Sequence, residues 1–234
     1  MAFTVQNMTR KESLIADLAR DVPNAPDRVP TPPSEPLLAK FNSLGTHLWL
    51  DTGLLEEAAR LWRLEMSALT TNNTLANQVV QTGIMDKVIE NAGRQIKEVE
   101  PGISDEDLVM DVAFIVNCHI ALRLVKAFDV LVSVELHPAI GYDIEKTLRY
   151  AQRYYAINPE RFIVKIPMTP EGFCAVARSR ACGIPINYTL GFSARQNYLA
   201  TVLAKPNYCN VFLGRLNAVV ADNHLATERT SARE

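Results

Sequence analysis

Short apolar runs rich in β-favouring residues return along the chain, and each is followed by a stretch with apolar residues at helical spacing. The most regular run is Phe162-Ile163-Val164-Lys165-Ile166, and Pro167 closes it because proline cannot donate to a strand ladder. Beyond it, Thr169 stands as a helix cap, with Pro170 at the first helical position and Glu171 in the first turn. Strands over His47–Asp51, Ser67–Thr71 and Val130–Leu136 come before this run, and Pro185–Leu190 and Cys209–Leu213 come after it. Helices are predicted over Leu54–Glu65 and Tyr142–Tyr155, from Cys174 to a stop at Gly183, and over Ser193–Ala204. Residues 75–128 read as one long helical stretch, broken near Gly93 and again at Pro101-Gly102. Thr74 is the expected cap of its first part, and Ser104 with three following acids starts its last part.

Six strands separated by helices imply a parallel α/β sheet. From the third strand on, the repeat is short and regular, which suits either a (β/α) barrel or a doubly wound sheet. No Gly-x-Gly-x-x-Gly follows the first strand and there is no Walker lysine, so the nucleotide-binding version loses ground. The polar residues decide the matter. Asp51, Asn72, Glu135, Lys165, Thr189 and Arg215 all fall at or just beyond the C-terminal end of a predicted strand, where barrel enzymes keep their chemistry.

Alternation along the strands sorts these residues onto one face. Ser133 and Glu135 share a parity opposite Val132, Val134 and Leu136, and Lys165 and Ile163 stand opposite Phe162, Val164 and Ile166. Asn187 and Thr189 share a face, as do His47, Trp49 and Asp51. One barrel interior therefore collects a lysine, two carboxylates, an amide and hydroxyls. A lysine inside a buried strand either finds a partner or loses its proton, and a neutral lysine is a nucleophile toward carbonyls.

The N-terminal region is different in kind. Thr9–Arg20 carries a modest amphipathic pattern, and residues 22–36 hold six prolines, which suits a linker or extended arm. The expected division is an arm over 1–36 and a barrel domain over 37–234.

Composition narrows the function classes. The 234 residues are 48% hydrophobic and 21% charged with a formal net charge of −2, the profile of an ordinary soluble globular protein. The basic residues are scattered, which argues against nucleic acid, and no apolar run approaches membrane-spanning length. The N-terminus lacks the pattern of a secretory signal. The four cysteines form neither a CxxC pair nor a disulfide framework, and no His/Cys spacing suggests a metal site.

Six segments then match a known family in its own order: Trp49-Leu50-Asp51-Thr52-Gly53, Leu69-Thr70-Thr71-Asn72, Val132-Ser133-Val134-Glu135, Val164-Lys165-Ile166-Pro167, Asn187-Tyr188-Thr189-Leu190-Gly191-Phe192-Ser193 and Phe212-Leu213-Gly214-Arg215-Leu216. Over roughly residues 44–223 the chain resembles transaldolase, a class I, Schiff-base-forming aldolase. The resemblance implies an eight-stranded (β/α) barrel of the TIM type and transfer of a dihydroxyacetone unit from a ketose phosphate to an aldose phosphate, with no cofactor. It implies Lys165 as the Schiff-base lysine, Asp51 as the acid/base carboxylate, and Glu135 with Thr189 as the pair holding a catalytic water. It implies Asn72 as a positioning amide and Arg215 as a residue near the substrate phosphate, with Asn187, Asn210 and Phe212 also on the substrate. The partners it implies are sugar phosphates, and it allows a homodimer. Its implied setting is the cytoplasmic pentose phosphate pathway.

The chain departs from the family pattern in three places. Asn73 stands where many members have proline, read as a tolerated loop change, and Asn210-Val211 stands where serine-proline is common. Only residues 214–234 follow the sixth strand, so about six of the eight strands are expected and the barrel is read as C-terminally truncated. A fructose 6-phosphate-type aldolase and a non-catalytic barrel fragment are the alternative readings.

Overall fold

The computed structural model describes residues 8–23, 25–30 and 32–225. Six strands lie side by side in chain order, all parallel: β1 (Leu48–Asp51), β2 (Met66–Thr70), β3 (Leu131–Glu135), β4 (Phe162–Pro167), β5 (Ile186–Gly191) and β6 (Tyr208–Val211). Each is separated from the next by helix, as the parallel order requires. The sheet curls into a half-barrel, so the partial (β/α) barrel expected from the sequence is the observed architecture.

Ten α-helices complete the described chain: α1 (Arg10–Arg20), α2 (Pro36–Ser43), α3 (Leu55–Leu61), α4 (Asn73–Gln81), α5 (Asp86–Val99), α6 (Asp105–Phe128), α7 (Ile144–Ile157), α8 (Pro170–Ala181), α9 (Ala194–Leu199) and α10 (Leu213–Asp222). Several begin where local chemistry dictates. Ser104, Thr169 and Ser193 each accept a hydrogen bond from the backbone N–H three residues on, which satisfies one of the donors a helix start leaves open. Ser193 opens a helix that passes into a π-helical turn over Ala200–Ala204.

The core lies on the convex side of the sheet. Val132, Val134, Phe162, Val164, Ile166, Ile186 and Tyr188 point there, almost wholly buried, toward helices that include α6, α7 and α8. α6 is the central core helix. Contrary to the sequence expectation, it is long and apolar enough, by length and composition, to cross a membrane. Half of its most apolar window is buried within the protein, where it packs on β3 and α1.

Three further expectations are corrected. Gly93 lies inside α5, where an isolated glycine weakens a helix without ending it; the break falls instead at residues 82–85, where Gly83 takes the left-handed conformation. Asn72, rather than Thr74, caps α4. Packing does not start at Leu37. Ile15 and Ala19 of α1 are buried against the core, and the proline-rich arm is tied down by Val29 N–H to the carbonyl of Ala127 at 2.8 Å and by Ser34 and Glu35 to the Glu65 carboxylate.

Candidate active site

Strand register sets the site. Glu135, Lys165 and Asn187 are successive register partners across β3, β4 and β5, so their side chains leave the same face abreast. The next layer is Asp51, Thr70, Ser133 and Ile163 across β1 to β4. Tyr208 extends the lysine layer onto β6. Trp49, two residues before Asp51, meets Tyr208 ring to ring, which makes this face the concave one.

Lys165 is 6% exposed, and its Nζ donates to the carbonyl of Thr71 at 3.1 Å. That carbonyl is itself held in place. Thr71 donates from its N–H and from Oγ1 to the carbonyl of Ser133, at 2.9 and 3.2 Å. Asn187 Nδ2 donates to Ser133 Oγ at 2.9 Å, so an interlocked set of neutral groups surrounds the ammonium stem.

Glu135 is half-buried beside the lysine. Its Oε2 receives the backbone N–H and the side-chain amide of Asn73, at 3.4 and 3.5 Å. Burial pushes its carboxyl above the ordinary glutamate range; Lys165 and the Asn73 donors pull it back, and the Asp51 charge adds to the rise. Asp51 ends β1 with its side chain open to water. It too is raised, first by the surrounding protein mass and against the pull of Lys165. Two carboxylates near one lysine, both moved toward neutrality, are the groups that acid–base catalysis near neutral pH calls for.

Thr189 is fully buried, with Oγ1 lacking a protein partner. A buried hydroxyl of this kind calls for water or a substrate oxygen. Its position follows from an irregular end to β5, where the β5–β6 register shifts between Tyr188 and Gly191 and Leu190 adopts φ 69°. Such bulges re-aim side chains next to sites.

The remaining residues named from the sequence sit farther round. Asn72 uses its Oδ1 to cap α4, accepting from Leu75 N–H at 2.9 Å, which leaves its NH2 group for a ligand. Asn210 lies on β6 with a buried, unpartnered Oδ1. Phe212 precedes α10, its ring 5.3 Å from that of Phe192, and the exposed Arg215 lays its guanidinium over the Phe212 ring at 4.9 Å. β5 separates this group from the lysine strand. Clefts of 690, 580 and 560 Å³ open elsewhere, among the helices of the convex side, and none is lined by these polar residues.

Residues 48–233 match the family described as transaldolase/fructose-6-phosphate aldolase. The chain belongs to this family. A transaldolase of Trichodesmium erythraeum is 29% identical over 181 residues, covering 71% of this chain and 46% of that protein. A protein described as "Probable transaldolase" from Aquifex aeolicus is 34% identical over 173 residues, covering 73% of this chain and 61% of its own length. The chain thus spans about half the length of the curated relatives it matches.

Within this transaldolase-family chain, sequence reasoning missed two residues of the site. The Thr71 carbonyl is a backbone atom and carries no side-chain signal. Asn73 looks in the sequence like a tolerated loop change, whereas its amide reaches Glu135 and the carbonyl of Leu136, the latter at 3.1 Å. Its place directly after the second strand, opposite the end of the third, was the available clue.

Proposed function

We propose that the chain carries out the lysine chemistry of a transaldolase. The observation that supports this best is the file of Glu135, Lys165 and Asn187 on the concave face, with Asp51 within electrostatic reach of the lysine. The donor is a ketose phosphate such as fructose 6-phosphate or sedoheptulose 7-phosphate. Lys165 Nζ adds to its C2 carbonyl to give a carbinolamine, which loses water to form an iminium. Glu135, working through water beside the Thr189 hydroxyl, moves the protons of this dehydration.

The iminium is an electron sink. Asp51 removes the proton of the C4 hydroxyl, the C3–C4 bond breaks, its electron pair passes to the iminium, and an aldose phosphate leaves. The enamine left on Lys165 attacks the aldehyde of an acceptor, erythrose 4-phosphate or glyceraldehyde 3-phosphate. The steps then reverse, with hydrolysis freeing the lysine. Such a covalent intermediate makes the kinetics ping-pong. Asn72 and Asn187 hold substrate hydroxyls, Asn210 and Phe212 line the sugar, and Arg215 takes its phosphate.

The test is product analysis. Incubated with fructose 6-phosphate and erythrose 4-phosphate, the chain is expected to form sedoheptulose 7-phosphate, detected by mass spectrometry. Release of free dihydroxyacetone without transfer would replace this reading by a fructose 6-phosphate-type aldolase. Absence of both products from folded protein would overturn it.

A further inference from the structure

We infer that Asn73 is the positioning residue of Glu135, fixing that carboxylate through two N–H donors directed at one oxygen. This rests on the Schiff-base reading, in which Glu135 moves protons for Lys165. Asn73 is the first residue of α4, so its backbone N–H is one of those that a helix start leaves without an internal acceptor. That N–H and the side-chain Nδ2 both lie on Glu135 Oε2, at 3.4 and 3.5 Å. Nδ2 also donates to the Leu136 carbonyl at 3.1 Å, which ties the end of β3 to the start of α4.

The geometry has two consequences. It engages Oε2 and, in the Schiff-base reading, leaves Oε1 for proton transfer. It also favours the ionised carboxylate, because both donors stabilise negative charge and the helix start adds a partial positive charge. The charged groups that act on Glu135 are Lys165 on β4, which favours ionisation, and Asp51 on β1, which opposes it. Burial opposes it more strongly than either. Asn73 is therefore one of the groups that favour ionisation of a half-buried carboxylate. Proline at this position would supply neither donor.

Two variants grade the effect. Asn73→Ala removes the side-chain donor and keeps the N–H; Asn73→Pro removes both at a helix position that tolerates proline. In the 234-residue chain labelled with 13C at glutamate carboxyls, the Glu135 resonance, identified by its loss in Glu135→Gln, is followed against pH. Its midpoint is expected to move up in the alanine variant and further up in the proline variant. In parallel, the borohydride-trapped donor adduct is expected to form roughly three- to tenfold more slowly on the acid side of the profile in Asn73→Ala and to recover at higher pH.

A merely structural role would lower the rate at all pH values and leave the profile unshifted. An unmoved Glu135 midpoint in folded Asn73→Ala overturns the inference, and that variant alone decides if the proline form fails to fold. If wild-type chain forms no adduct, the Schiff-base reading fails, while the titration still decides whether Asn73 controls Glu135.

Discussion

The indole of Trp49 on β1 meets the ring of Tyr208 on β6 edge-on, with centroids 4.6 Å apart and planes at 64°. These strands are the two ends of the sheet. In a flat sheet at the usual spacing, five strand intervals would hold them about 24 Å apart. The contact therefore measures the curl of the sheet, and it bridges the concave side that carries Lys165. Edge-to-face pairs contribute about 0.5–1.5 kcal/mol beyond burial, and a double-mutant cycle of Trp49→Leu and Tyr208→Leu is expected to return a coupling in that range. Additive effects would mean that the two ends do not support each other.

Glu135 makes stability depend on pH with a defined sign. Its folded-state pKa is raised, chiefly by burial, so between the ordinary glutamate range and that raised value the folded chain holds more protons than the unfolded one. Unfolding free energy therefore falls as pH rises through this window and levels off above it. Asp51 acts in the same direction. Glu12, held low mainly by the backbone N–H of Thr9, acts in the opposite one, so only a difference between variants isolates the site. Urea midpoints of wild type and Glu135→Gln are expected to diverge with rising pH in favour of the variant. Parallel curves would contradict the assignment.

The first helix is part of the fold. Asp111 of α6 is buried and takes Arg153 of α7 at 2.9 Å, with Lys11 of α1 at 3.7 Å; Lys11 also holds Glu100 at 2.6 Å. The Arg153 guanidinium lies 4.3 Å from the Phe114 ring centroid and 4.6 Å from that of Tyr150. Removing one partner of such a pair strands the other, at about 3–5 kcal/mol. Arg153→Ala should lose stability on that scale in urea, and adding Asp111→Leu should recover part of it. A loss below about 1 kcal/mol would place the pair among screened surface bridges.

At Gly191, β5 and β6 approach closely. A methyl group there would lie 2.3 Å from the backbone oxygen of Asn210 and 2.6 Å from Oδ1 of Asn197. Backbone cannot yield as a flexible side chain does, so Gly191→Ala is expected to cost roughly 1–3 kcal/mol. It should also weaken protection of the Phe212 amide, which donates to the Gly191 carbonyl at 3.0 Å. An unchanged melting point and unchanged hydrogen exchange would show that this approach is looser than described.

Period-two patterning made the strands and their faces legible, because burial on the convex side and polar residues on the concave side leave no ambiguity of register. Helix starts at Ser104 and Thr169 were legible because a cap acts on a donor three residues away. What escaped depends on distance along the chain or on backbone atoms. The burial of Ile15, the Thr71 carbonyl under Lys165, and the Asn73–Glu135 contact all join segments far apart in sequence. Asn72 and Thr74 are both competent caps, and only the observed turn decides between them. Gly83 and Gly93 look alike as letters, yet only Gly83 takes a positive φ.

Borohydride trapping shows whether Lys165 is the nucleophile. The purified chain is incubated with fructose 6-phosphate, reduced, and weighed intact and as peptides. A dihydroxyacetone-sized adduct is expected on the Lys165 peptide and is expected to disappear in Lys165→Ala. A folded chain that gains no adduct, or gains one on another lysine, would contradict it.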